Sequence, residues 1–208
     1  MTQLSLLESP PPVAAADPSW STWRSPDDWE TPKPVARAIA GHINLTDRCR
    51  PIDRVIVEAG AGTGAIARFL PHDTHCVESN PARVEMGKAI APHCKWHGAD
   101  FLEWEHLEDG TVDLVIGNPP FSQAAAFLSR AMELIHDRGR VIFLLPCDTV
   151  HKPTFLSAVG GCFTHAASPV VGRIAYLKDG RAVAGRQVYD SIFTFWHYPE
   201  QNPNLIHQ

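Results

Sequence analysis

The chain has 208 residues, 44% of them apolar and 20% charged, with a formal net charge of -5. That length suits one domain with a full hydrophobic core, the composition is that of a soluble globular protein, and the acidic balance argues against a simple polyanion-binding protein while leaving room for a local basic patch. Five cysteines without a CxxC spacing, no signal-peptide pattern and no apolar run near the ~18 residues of a membrane span predict a reduced, cytoplasmic protein with no membrane partner.

In chain order, residues 1–19 include "SPPPVAAADPS", which cannot build a core and is expected to be a disordered or loosely attached arm. The domain is expected to span 20–208. It opens on "WSTWRSPDDWETP", whose three tryptophans within ten residues imply docking against the domain or a ligand. "KPVARAIAGHINL" spaces Val35, Ile39 and Ile43 four apart, one face of a helix. "DRVIVEAG" reads as a strand, "GAIARFL" as a helix, "THCVES" as a strand, and "PARVEMGKAIAPH" as a helix with proline in its first turn. "CKWHGAD" is a weak strand and "VDLVIGN" a strong one. "FSQAAAFLSRAMELIHDRG" predicts a long helix closed by glycine, and "RVIFLLP" a strand buried on both faces. "VVGRIAYLKDGRAVAGRQVYD" reads as a hairpin or mobile loop before a last strand, "DSIFTFWHY". Strands alternating with helices predict an α/β sheet of about seven strands, with helices on both faces.

Three stretches carry chemistry. Glu58-x-Gly60-x-Gly62-x-Gly64 lies between a strand and a helix, where glycines permit positive φ and let a ligand approach the backbone. No Gly-Lys-Ser/Thr follows, so it is not a P-loop. Glu78 ends the next strand, where a carboxylate can accept from both ribose hydroxyls. Asp100 follows the third strand, placed to accept from an adenine amino group, with Phe101 beside it to pack on the ring. The fourth strand ends in Asn118-Pro119-Pro120-Phe121.

In this order the motifs resemble a class I S-adenosylmethionine-dependent methyltransferase, over roughly Trp29 to Tyr198. The resemblance implies a single-domain Rossmann-like fold, mostly parallel with an antiparallel last strand, and S-adenosylmethionine as cofactor. The implied cofactor-binding residues are Thr31, Pro32, Glu58, Gly60, Gly62, Gly64, Glu78, Asp100, Phe101 and Asn118. The tetrapeptide is similar to the catalytic motif of enzymes that methylate a planar nitrogen, which implies catalysis by Asn118, Pro119, Pro120 and Phe121. Such a nitrogen is a poor nucleophile because its lone pair is delocalised. Acceptors at the Asn118 side chain and the Pro119 carbonyl localise the pair, the prolines stiffen the loop, and Phe121 stacks on the target ring. No metal is expected: Cys76, Cys94 and His97, with His72, His75 and His93 nearby, match no standard zinc spacing.

Three substrate classes share this motif: adenine N6 in DNA, guanine N2 or adenine N6 in RNA, and glutamine amide in protein. The flanks favour DNA. "DWETPKPVARAI" resembles the N-terminal segment of DNA adenine-N6 methyltransferases, which places residues 20–45 over the cofactor, with a helix cap before Lys33 as the lesser reading of Thr31. Residues 171–190 resemble the substrate-binding end of the same enzymes, with Arg173, Lys178, Arg181 and Arg186 as phosphate contacts. Ten residues after Tyr198 leave no room for a target-recognition domain, so a second copy or a specificity partner is expected to supply sequence readout. A cofactor-binding subunit without catalysis is the remaining alternative, disfavoured by the intact tetrapeptide.

Overall fold

The computed structural model describes residues 29–46, 54–158, 163–169, 174–178, 181–188 and 190–197. The expected N-terminal arm, Trp20, Trp23 and Arg173 lie outside the described residues. Four parallel strands form the half of the sheet that carries the motifs: β1 (Ile56–Ala59), β2 (His75–Glu78), β3 (Lys95–Gly98) and β4 (Val112–Gly117). β5 (Ile135–Pro146) continues the parallel set, and β9 (Asp190–His197) runs antiparallel between β5 and β6 (Phe163–Pro169). The order is β3-β2-β1-β4-β5-β9-β6, seven strands with an antiparallel last strand, as the sequence predicts. A separate antiparallel hairpin, β7 (Ile174–Lys178) and β8 (Arg181–Val188), fills the expected hairpin segment.

Successive side chains of a strand point to opposite faces, and the core divides accordingly. Val57, Val115, Val141, Phe143 and Phe193 pack on one side with Phe127, Leu128, Ala131 and Leu134 of α3 (Ala124–Leu134). Ile56, Leu114, Ile116, Ile142, Leu144 and Ile192 pack on the other with Ala36, Ile39, Ala40 and Ile43 of α1 (Lys33–Thr46). Apolar residues on both faces give the unbroken runs that mark a doubly covered parallel sheet. α2 (Pro81–Ile90) starts where Asn80 accepts from the amides of Ala82 and Arg83, with proline at its first position.

Two helix readings are corrected. "GAIARFL" is only a 3-10 turn, Ala67–Phe69. Pro71 follows, and the residue before a proline is driven out of helical geometry; Leu70 is extended at ψ 160°. The long helix predicted through Gly139 stops at Leu134. Ile135 is extended and buried, and it pairs with Val112 at the entrance to β4. The register then slips, so that Leu114 meets Arg140. Gly139 serves that irregularity rather than a helix end: a Cβ there would lie 2.6 Å from the Cβ of Ile135. The sequence reading also passed over β6 and α4 (Pro153–Ala158). Among the described residues no helix is long and apolar enough to cross a membrane.

Candidate active site

The carboxyl ends of β1 to β4 border a cavity of 390 Å³, within the usual range for a small-molecule site. Gly60, Gly62, Glu78, Asp100, Phe101 and Asn118 line it. A smaller pocket of 40 Å³ gathers Thr31, Glu58, Gly60, Gly62 and Asn118. The fold therefore collects residues that the sequence scatters over five segments.

The glycine turn has the predicted backbone: φ is +67° at Gly60, +55° at Gly62 and +89° at Gly64. A Cβ on Gly62 would meet nothing within 4 Å, because that side faces the open site. Gly64 does not face the site. A Cβ there would lie 3.4 Å from the α-carbon of Gly87 in α2 and from the Trp96 ring, so this side of the turn faces the neighbouring layer. Glu78 braces the turn. One carboxylate oxygen takes the Gly62 amide at 2.9 Å and the other takes the Asn80 amide at 2.8 Å. Each oxygen keeps a further lone pair for a hydroxyl. Asp100 caps the next turn by accepting from the Leu102 amide at 3.0 Å. Phe101 is buried with its ring against Phe127, 5.1 Å between centroids, and lines the cavity as a wall.

Glu58 is 1% exposed. Burial pushes its carboxyl well above the ordinary range, and Cys94 and Glu78 push the same way, against the Cys76 thiol at 3.6 Å. The folded protein holds it neutral at pH values where the unfolded chain ionises it. Stability is therefore lost as pH rises above the unfolded value, up to the raised folded one. Glu58→Gln is expected to raise the melting temperature of the ligand-free protein near pH 7.5 and to change it little near pH 4. Thermal denaturation across that range checks this; an equal effect at both ends contradicts a neutral buried carboxyl.

The tetrapeptide follows β4 directly. The Asn118 side-chain nitrogen donates to the Thr31 hydroxyl oxygen at 2.9 Å. Its side-chain oxygen is buried and has no hydrogen-bond partner among the described residues. Buried acceptors are nearly always paired, so an orphan at a cavity wall marks a place for a donor from outside. Thr31 is 8% exposed, and this contact fixes which way the amide points. Pro119 is buried and Pro120 lines the cavity. The Phe121 ring meets Tyr176 edge-on, 6.0 Å between centroids. Tyr176 in turn donates to buried Asp190, whose other oxygen also has no partner among the described residues. Burial raises Asp190 above its usual range, with Tyr176 lowering it. The segment before α1 is tied to the hairpin by a bridge between Glu30 and Leu177.

Pro32 stands at the start of α1, where its carbonyl accepts from Ala36, rather than in either cavity. Of the expected phosphate contacts, Lys178 and Arg181 are register partners at the closed end of the hairpin, Arg181 exposed, and Arg186 lies on β8. Sequence reasoning missed Arg83 and Asn80 in the cavity wall, and it missed Tyr176 and Asp190 behind Phe121. Trp29, one of the three clustered tryptophans, lines both cavities, and that density was its signal.

No family model matches the chain. A relative, the tRNA1(Val) (adenine(37)-N6)-methyltransferase of Glaesserella parasuis serovar 5, is 24% identical over 129 residues, which is 48% of this chain and 54% of that protein. The match thus spans about half of the relative's length. A solved structure from Pyrococcus horikoshii, provisionally named an RNA methyltransferase, is similar with a TM-score of 0.63 at 19% identity, over 83% of this chain and 86% of that one. The methyltransferase subunit of a type I restriction-modification system from Streptococcus thermophilus gives 0.61 at 16% identity, over 83% of this chain and 45% of that one. Fold and relatives together imply S-adenosylmethionine as the cofactor. The residues fit it: an open positive-φ turn, the Glu78 carboxylate at the cavity edge and the orphaned Asn118 oxygen. The chain has the single-domain α/β fold of the class I S-adenosylmethionine-dependent methyltransferases.

Proposed function

We propose that the chain is an S-adenosylmethionine-dependent N-methyltransferase that acts on adenine N6, with DNA as the favoured polymer. One observation carries the reading. Asn118 lines both cavities and carries a buried side-chain oxygen with no partner among the described residues, while Thr31 holds its amide nitrogen. An acceptor held in that way suits an amino group with hydrogens to give.

S-adenosylmethionine supplies an electrophilic methyl group when bound. The Gly60–Gly62 turn, Glu78 and Asp100 would hold it, the last two as acceptors for hydroxyl and amino groups. Asn118 and the Pro119 carbonyl would accept the two N6 hydrogens, drawing the nitrogen out of conjugation so that its lone pair points at the donor. These acceptors are fixed before the reaction, which is what makes them effective in the transition state. Phe121, steadied by Tyr176, would stack on the target ring. A base paired within a duplex cannot reach such a site, so the adenine must be rotated out, at a cost of a few kcal/mol that is least for an unpaired or mismatched base.

DNA is favoured because the Trp29–Pro32 segment contacts both Asn118 and the hairpin, uniting the two stretches that resemble DNA adenine-N6 enzymes. Sequence readout would come from a second copy or a specificity partner. Structured RNA is the second reading, favoured by the tRNA adenine-N6 relative. Transfer of a tritiated methyl group to duplex DNA, mismatched DNA, tRNA and total protein tests the choice. The expected order puts mismatched DNA above paired DNA, with Arg181→Glu weakening DNA binding and flattening its salt dependence. Label in tRNA alone would hand the assignment to RNA, and label in glutamine would end the nucleic-acid reading.

A further inference from the structure

Three imidazoles converge at the β2–β3 edge of the sheet, apart from the methyl-transfer site. His75 opens β2 and His97 is the third residue of β3. Because His75 pairs with Lys95 and Val77 with His97, the two histidines stand on the same face, one step apart diagonally. Their ring planes lie 4° apart, and Nδ1 of His75 shares a hydrogen bond of 3.0 Å with Nε2 of His97, a contact that a bound metal ion would replace. His106 comes from the segment beyond the Phe101–Glu103 turn, with its ring centroid 4.6 Å from that of His97 and 5.7 Å from that of His75. One ring nitrogen from each of the three falls within 4.8 Å of the others. Buried Trp104 forms the floor beneath all three.

This spacing matches what one metal ion requires. Nitrogen ligands at about 2.0–2.1 Å in a tetrahedron stand roughly 3.4 Å from one another. Separations between 3.0 and 4.8 Å close to that value with small side-chain shifts. An all-imidazole set suits zinc, copper or nickel and ill suits magnesium or calcium, which need oxygen ligands. Two of the histidines are half-buried, which fixes their rings, and the third is exposed, which leaves an entry path and a coordination position for water.

We propose that His75, His97 and His106 bind a single divalent transition-metal ion of the zinc class, which clamps the segment after β3 onto the sheet edge. The site takes no part in methyl transfer. His75 stands at the amino end of β2, about 10 Å of strand from Glu78 at the carboxyl end. On this proposal the chain holds a metal ion, against the expectation drawn from sequence spacing. That expectation weighed His75 and His97 with the cysteines, and it did not include His106. Cys76 instead faces the opposite side of β2, with Ala67 and Ala91.

Cobalt(II) titration of the full chain, purified without a histidine tag and stripped with chelator, tests this. The expected result is one equivalent of saturable binding with the visible absorption of a low-coordinate site, reversed by zinc. His106→Ala, at an exposed position, is expected to weaken binding by roughly 100-fold or more, since loss of even a residue that only hydrogen-bonds to a ligand costs about 10–100-fold. His97→Gln is expected to do the same with its circular dichroism unchanged. Methyl transfer should be unaffected by chelator in the wild type. Absence of one-to-one binding, or a loss of less than about tenfold in both variants, overturns the site. Chelator-sensitive turnover would overturn its separation from catalysis.

Discussion

Asn118→Ala is expected to lower turnover by about 10²–10³-fold, the usual cost of losing one preorganised group that acts in the transition state. Affinity for S-adenosylmethionine should change far less, because the glycine turn and Glu78 are left in place. The basis is the unpartnered Asn118 oxygen at the wall of the larger cavity. Thr31 supplies a second arm to the same measurement. Thr31→Val removes the acceptor that orients the Asn118 amide and should lower kcat with little change in substrate KM. Thr31→Ser keeps the oxygen and should restore the rate. Single-turnover kinetics with calorimetry for the cofactor separates the two steps. If Asn118→Ala turned over near the wild-type rate with cofactor bound, the polarising role would be wrong.

Gly62→Val is expected to abolish measurable cofactor binding and to destabilise the chain by about 1–3 kcal/mol. Two causes act together. A β-branched residue at φ +55° is strained, and its side chain would occupy the open face of the turn that the cavity needs. The strain also threatens the Gly62 amide contact with Glu78. Glu78→Ala separates these causes, since it removes the brace and a hydroxyl acceptor without adding bulk. It should weaken the cofactor while keeping more stability than Gly62→Val. Calorimetry and thermal denaturation of both variants decide this; near-native affinity in both would remove the cofactor site from this turn.

The parallel strands were readable because a doubly covered sheet leaves little freedom of composition. "VIVEAG" and "VDLVIGN" are apolar on both faces, and both became buried strands. The glycine turn was readable for a related reason: three residues at positive φ require glycine. What failed was local persistence. "GAIARFL" has helix-forming residues but ends against Pro71, and "AMELIHDRG" carries a helical pattern that pairing of Ile135 with Val112 overrides. The first break is local, since Pro71 drives Leu70 out of helical geometry, whereas tertiary pairing decided the second and no local window of sequence contains it. The candidate site divides in the same way. Residues within motifs were found, whereas Tyr176 and Asp190 reach Phe121 only through the hairpin and the last strand. Thr31 does more than its motif indicated. Sequence resemblance put it over the cofactor; it lines the smaller cavity beside the glycine turn, and its hydroxyl also holds the Asn118 amide. The histidine cluster was hidden because its members belong to two strands and a later segment, 31 residues apart at most by numbering (106 − 75).

Nucleoside mass spectrometry tests the central claim most directly. Sequence-diverse DNA and structured RNA are incubated with the full chain and S-adenosylmethionine, digested, and compared with reactions containing Asn118→Ala. The account predicts N6-methyladenine as the product, reduced by about 100-fold or more in the variant. A methyl group found on guanine, or no methylated adenine in either polymer, would contradict it.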